Sequence, residues 1–274
     1  MMRVFLSCDM EGATGVVSFD QVSRNKPEYE FGREMQLKDT WAVVTAAREA
    51  GAQRIVVNDS HDAMRNLDGR ALPREVELIS GSPKILCMME GVSEADVALF
   101  VAYHAMGGTE GAILDHTMSS TTVHEVRLNG RAVGEIGLGA ALCGALGVPV
   151  ALVTGDVAAC IEAESLLPGV VTCPVKEGHG RFAARLLAPE VTTERLAQAT
   201  REALARFREG AFKPWCPGPP YELEVTFSWT SQCDKASWAL PFHRVGGRTL
   251  RAEHEDFLEL HRAFLAAVTL AGAV

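Results

Sequence analysis

"RVFLSCDM", residues 3–10, is a near-continuous apolar run whose end carries an acid. Such a run, without the apolar–polar alternation of a half-exposed strand, suits a parallel strand covered on both faces. A second acid follows two residues later, so Asp9 and Glu11 stand where a buried strand finishes. Side chains two apart on a strand point to the same face, so these carboxylates can converge while Cys8 and Met10 face away.

Outward from this strand, the chain alternates between strand and helix. "EFGREMQLKDTWAVVTAAREAG" has helical spacing and ends at Gly51. "RIVVNDSH" and "ADVALFVAYHA" read as strands, and "VHEVRLNGRAVGE" as a hairpin turning at Asn129-Gly130. "IGLGAALCGALG" predicts a helix leading into a buried strand, "VPVALVTGD". The fold class expected is α/β, a mostly parallel sheet flanked by helices. "KPWCPGPP" (213–220) breaks regular structure, which divides the chain into a catalytic α/β domain, 1–212, and a small C-terminal α+β unit, 213–274.

The ends of the first three strands carry Asp9-Met10-Glu11, Asn58-Asp59-Ser60-His61 and Tyr103-His104. In open α/β sheets the carboxyl ends of the strands line the ligand crevice, so two acids and two imidazoles meet there. Paired carboxylates repel unless one is protonated or a cation lies between them. Carboxylates with imidazoles and no thiolate suit zinc or a similar divalent ion in a catalytic site. Glu135, where the hairpin gives way to a helix, aims at the same crevice. Three acids and two histidines exceed the needs of one tetrahedral ion, whereas two ions about 3.5–4 Å apart would use them all. Taken singly, each residue is more often a cap or a packing residue, and spacing alone leaves both readings open. "HEVRL" and "HEDFL" begin like H-E-x-x-H but lack its second histidine. His254 and His261 on the last helix read as surface or packing residues, and Lys176 as a solvated lysine or a contact for a substrate carboxylate.

Lys plus Arg total 26 against 35 Asp plus Glu, a net charge of −9 without a basic cluster, which argues against nucleic acid or an anionic membrane as partner. No apolar run reaches the roughly 18 residues of a membrane span, and the start lacks the pattern of a signal peptide. The seven cysteines are scattered and contain no C-x-x-C pair, as expected of reduced thiols in a cytoplasmic protein.

"SCDMEGATG", "VVNDSHDAMRNL", "LISGSPK", "MMEGV", "VAYHAMGGTEGAILDHTM" and "VGEIGLGAALCG" together closely resemble the D-aminopeptidase family of zinc metallopeptidases associated with dipeptide transport. The likeness runs from residue 3 to about residue 190 and continues more weakly through the last helix. The resemblance implies two Zn2+ per subunit, held by Asp9, Glu11, His61, His104 and Glu135, with Asp9 bridging, and catalysis by His116 in "LDHTM". It implies an aminopeptidase acting on short peptides with an N-terminal D-amino acid, of the D-Ala-D-Ala type, with the catalytic histidine labelled a nucleophile. Attack by a metal-bound hydroxide with His116 as base is the route favoured here, because an acyl-histidine would leave the paired metals without their usual role. It also implies a homo-oligomer, a decameric ring around a channel. The glycines of "AMGGTEG" supply no side chain, so this motif does not say what binds the substrate termini. Asp59 is either an acceptor that orients an imidazole or a capping residue. Rival readings of the same crevice are a dinuclear hydrolase of another amide or a phosphoester, and a non-catalytic peptide- or metal-binding protein.

Overall fold

A computed structural model describes residues 2–274. The first half contains β1 (Arg3–Cys8), α1 (Phe19–Val22), α2 (Tyr29–Glu49), β2 (Arg54–Asp59), β3 (Val76–Ile79), β4 (Val97–Tyr103), β5 (Val123–Leu128) and β6 (Arg131–Ala132). Then come α3 (Glu135–Ala145), β7 (Val150–Asp156), α4 (Val157–Leu166), β8 (Val171–Gly180), β9 (Ala183–Leu186) and α5 (Pro189–Arg208). The chain ends with β10 (Tyr221–Phe227), α6 (Thr230–Ala236), β11 (His243–Arg244), β12 (Thr249–His254) and α7 (Phe257–Ala271).

Seven strands form the main sheet in the order β3-β2-β1-β4-β7-β8-β9. All neighbours are parallel except β9, which returns along β8. This is the mostly parallel α/β sheet expected from the sequence. The chain builds outward from β1 to β3, then crosses back so that β4 lies on the other side of β1. That reversal is the switch point at which open α/β sheets hold their ligands.

Each face of the sheet has its own core. Val4, Leu6 and Cys8 pack toward α2 and α5, whereas Phe5 and Phe100 face α3, α7 and a second sheet. The second sheet is antiparallel, in the order β11-β12-β10-β5-β6. Its strand β10 alternates strictly: Tyr221, Leu223, Val225 and Phe227 are buried, with half-buried residues between them. The β5–β6 turn places Asn129 and Gly130 at φ of 48° and 78°, the left-handed pair that a tight hairpin needs. This hairpin supplies two of the five strands of the second sheet, and residues 213–274 supply the other three. The small sheet thus draws on both sides of the irregular 213–220 segment.

The imidazole of His261 is buried among α7 neighbours that include Phe257 and Phe264, and burial pulls its pKa down to about 4. That is a packing role, as expected. Among the described residues no helix is long and apolar enough to cross a membrane.

Candidate metal centre

Asp9 is the first residue past β1, and the chain there stays in register beside β4. The Asp9 N–H donates to the Val101 carbonyl at 2.9 Å and the Gly12 N–H to the Ala102 carbonyl at 2.8 Å. A Cβ on residue 12 would lie 2.0 Å from the Tyr103 carbonyl oxygen, so this close approach requires glycine. The β4 strand is itself irregular at its end. Its register with β7 shifts between Phe100 and Tyr103, and Ala102 has a φ of 60° while its N–H donates to Thr154 Oγ1 at 2.9 Å. Such irregularities re-aim the next side chains, here Tyr103 and His104.

Three imidazoles enter the crevice, and each has one nitrogen fixed by a backbone carbonyl. His61 Nε2 donates to Val22 O at 2.7 Å, His104 Nδ1 to Ala105 O at 2.9 Å, and His116 Nδ1 to Leu114 O at 2.7 Å. With one nitrogen holding the proton, the other presents its lone pair. His61 Nδ1 lies 3.0 Å from Glu11 Oε2 and 3.3 Å from Asp9 Oδ1. His104 Nε2 lies 3.3 Å from Glu135 Oε1 and 3.5 Å from Asp9 Oδ2. The two Asp9 oxygens therefore face different histidines. His116 Nε2 is farther from the acids, 3.7 Å from Glu135 and 4.0 Å from Glu11, and its ring stacks on His104 with centroids 4.0 Å apart.

These donors form two groups, Asp9–Glu11–His61 and His104–His116–Glu135, with the ligand atoms of each group within 4.8 Å of one another. All of them are buried except His116, which is half-buried. Burial and the charge of Glu11 push the Asp9 carboxyl up to about 8. Burial opposes charge on His61 and His104 as well, but the neighbouring acids outweigh it and raise both imidazoles well above the ordinary value. Three atoms here, Asp9 Oδ2, Glu11 Oε2 and His104 Nε2, are buried without a hydrogen-bond partner. Orphaned buried acceptors are costly. A divalent cation would satisfy all three and remove the repulsion between the acids. The oxygen and imidazole donor set fits such an ion.

Residues 2–266 match the peptidase M55 family, described as D-aminopeptidase. The chain belongs to this family. A "D-aminopeptidase" of Bacillus subtilis (strain 168) is 35% identical over 275 residues, covering 98% of each chain. A solved structure, "Zn-dependent D-aminopeptidase DppA from Bacillus subtilis, a self-compartmentalizing protease", superposes with a TM-score of 0.95 at 33% identity, covering 100% of this chain and 99% of that one.

The supporting residues of this D-aminopeptidase-family site lie outside the recognisable motifs. Lys176 is neither solvated nor aimed at a substrate: it is buried midway along β8. Its Nζ donates to the carbonyls of Glu11 at 2.6 Å, Ala13 at 2.9 Å and Val16 at 2.6 Å, and burial pulls it down to about 8. Asp39 on α2 holds the same loop from the other side, accepting from Thr14 N–H and Thr14 Oγ1, each at 2.8 Å. Glu162 on α4 accepts from the N–H groups of Met106 and Gly134, tying the segment after His104 to the residue before Glu135. The Met118 N–H donates to Glu135 Oε1 at 2.6 Å.

Asp59 does not orient an imidazole. Its carboxylate accepts from the N–H groups of Asn66 and Leu67 and from the Asn66 amide, which caps the following loop, and the ring of His61 is held by Val22 instead. A sequence pattern cannot show that anchor, because a backbone carbonyl has no residue type.

Proposed function

We propose that this chain is a zinc-dependent aminopeptidase that hydrolyses short peptides with an N-terminal D-amino acid, at a site of two zinc ions per subunit held by Asp9, Glu11, His61, His104 and Glu135. The observation that carries the reading is the Asp9 carboxylate: one oxygen faces His61 and the other His104, so that Asp9 would be able to serve an ion held with either histidine. When bound, zinc supplies Lewis-acid polarisation of a carbonyl and acidification of water.

The chain's own residues supply the proton handling and the shape of the site. His116 has its Nδ1 proton committed to Leu114, so Nε2 is the atom that takes a proton from the attacking water and returns it to the leaving amine. Burial, and then the neighbouring His104, lower the His116 pKa, which favours the neutral, proton-accepting form. The crevice, about 430 Å3, is walled on one side by Leu265, Val268 and Thr269 of α7. An amide or phosphoester substrate of another class is supported only by the same donor set, with no further feature in its favour.

Several exposed apolar side chains, including Phe182, Leu186 and Val191 near the start of α5 and Trp238 and Leu240 after α6, support assembly into an oligomer. The self-compartmentalizing relative supports a closed one, which we take to be the decameric ring that the sequence resemblance implies. The seven free thiols support a cytoplasmic setting.

The test is hydrolysis of D-Ala-D-Ala and L-Ala-L-Ala side by side by the zinc-loaded protein. Turnover of the D form alone is expected. Equal turnover of both, or of neither, overturns the reading.

A further inference from the structure

The proposed reaction leaves open what recognises the far end of a short peptide, and the charges around the crevice point to one residue. The acids Asp9, Glu11 and Glu135 are committed to the metal centre, and the one guanidinium lining the crevice belongs to Arg24. Among the described residues Arg24 makes no hydrogen bond. Its ion pair is a single 3.6 Å contact from Nε to Asp62 Oδ2, between side chains 31% and 52% exposed. A pair of that length and exposure holds little energy, so the fork of the guanidinium is free for a better partner.

The other cations near the site are occupied. Lys176 is spent on the three carbonyls of the 11–16 loop. Arg181 donates from Nε and Nη2 to Asp115 and lies over the rings of Phe19 and Phe182, 5.3 and 5.5 Å from their centroids.

The placement of Arg24 follows from the anchor of a metal ligand. The Val22 carbonyl is bonded to His61 Nε2, and Asp62, the residue after His61, is the partner of Arg24. Arg24 is two residues past that carbonyl, so its Cα is within about 7 Å of the Val22 Cα. Arg24 therefore stands on the rim of the crevice that holds the metal-centre residues.

We infer that Arg24 receives the C-terminal carboxylate of a short peptide substrate, making the site selective for peptide acids over their amides; this rests on the aminopeptidase reading above. A guanidinium meets a carboxylate through two parallel N–H donors, a geometry that neither an amide nor a continuing chain reproduces. Asp62 holds the guanidinium at the rim until the carboxylate replaces it.

The test is calorimetric titration of zinc-loaded protein carrying His116→Ala, which removes turnover, with D-Ala-D-Ala and with D-Ala-D-alaninamide. The same titrations are repeated with Arg24→Gln added. The acid should bind about 10- to 100-fold more tightly than the amide, and Arg24→Gln should abolish that difference by weakening the acid alone, the effect of one lost charge-assisted pair. Asp62→Asn, which frees the guanidinium, should tighten the acid and leave the amide where it is. No preference for the acid, an equal loss for both ligands with Arg24→Gln, or no binding of either ligand would overturn the inference. Failure of the peptidase reading shows separately, as absence of turnover by the protein with His116 intact.

Discussion

His104→Ala is expected to lose zinc and activity together, whereas His116→Ala keeps its zinc and loses most of its turnover. His104 Nε2 is a buried nitrogen without a hydrogen-bond partner, between Asp9 and Glu135. Removing it deletes a donor outright, so metal affinity should fall by more than the 10- to 100-fold that loss of an outer-sphere partner costs. His116 Nε2 lies farther from both acids than the ligating nitrogens do, and its loss should cost about 10²–10⁴ in kcat, the range for general acid–base catalysis. Zinc content after gel filtration, with dipeptide turnover on the same samples, separates the two. Full zinc occupancy in His104→Ala would contradict the ligand assignment, and zinc loss in His116→Ala would make His116 a ligand.

Lys176→Met is expected to destabilise the fold by about 3–5 kcal/mol and to weaken zinc binding. Two effects oppose each other. Burying an ammonium is unfavourable, as its pKa of about 8 records, so removing the charge recovers something. Against that, the carbonyls of Glu11, Ala13 and Val16 lose their donor at once, each worth about 1–3 kcal/mol when left unsatisfied. The three losses outweigh the one gain. They also fall on the loop that carries Glu11, which is why a residue outside the metal centre should affect its affinity. Urea unfolding and zinc competition titrations measure the two effects. A variant as stable as the parent would show that the loop does not depend on this lysine.

The gathering of these acids and imidazoles was legible because the residues obey simple rules. Asp9 and Glu11 are two apart past a buried strand, and His61 and His104 follow two others, so the parallel-sheet reading alone gathers them at one edge. Glu135 was legible as the first residue of a helix, and the Asn129-Gly130 turn from its two residue types. What stayed hidden depends on distant partners or on backbone. The pairing of β5 with β10 joins residues such as Val126 and Val225, nearly a hundred positions apart, and nothing local marks that choice. The edge strand β3 is half-exposed and short, so it carries too little pattern to stand out. Lys176 was misread because lysines are seldom buried. The strand pattern offered no signal for it either, because Val171, Cys173 and Val175 are buried on one face and Lys176 falls on the other, with the half-buried Thr172 and Pro174.

The most direct test of the two-ion centre is anomalous diffraction at the zinc edge from crystals of the zinc-loaded protein. Two peaks are expected, one beside Glu11 and His61 and one beside His104 and Glu135, with an Asp9 oxygen bonded to each. A single peak, or peaks that leave Asp9 without a metal, would contradict the dinuclear centre.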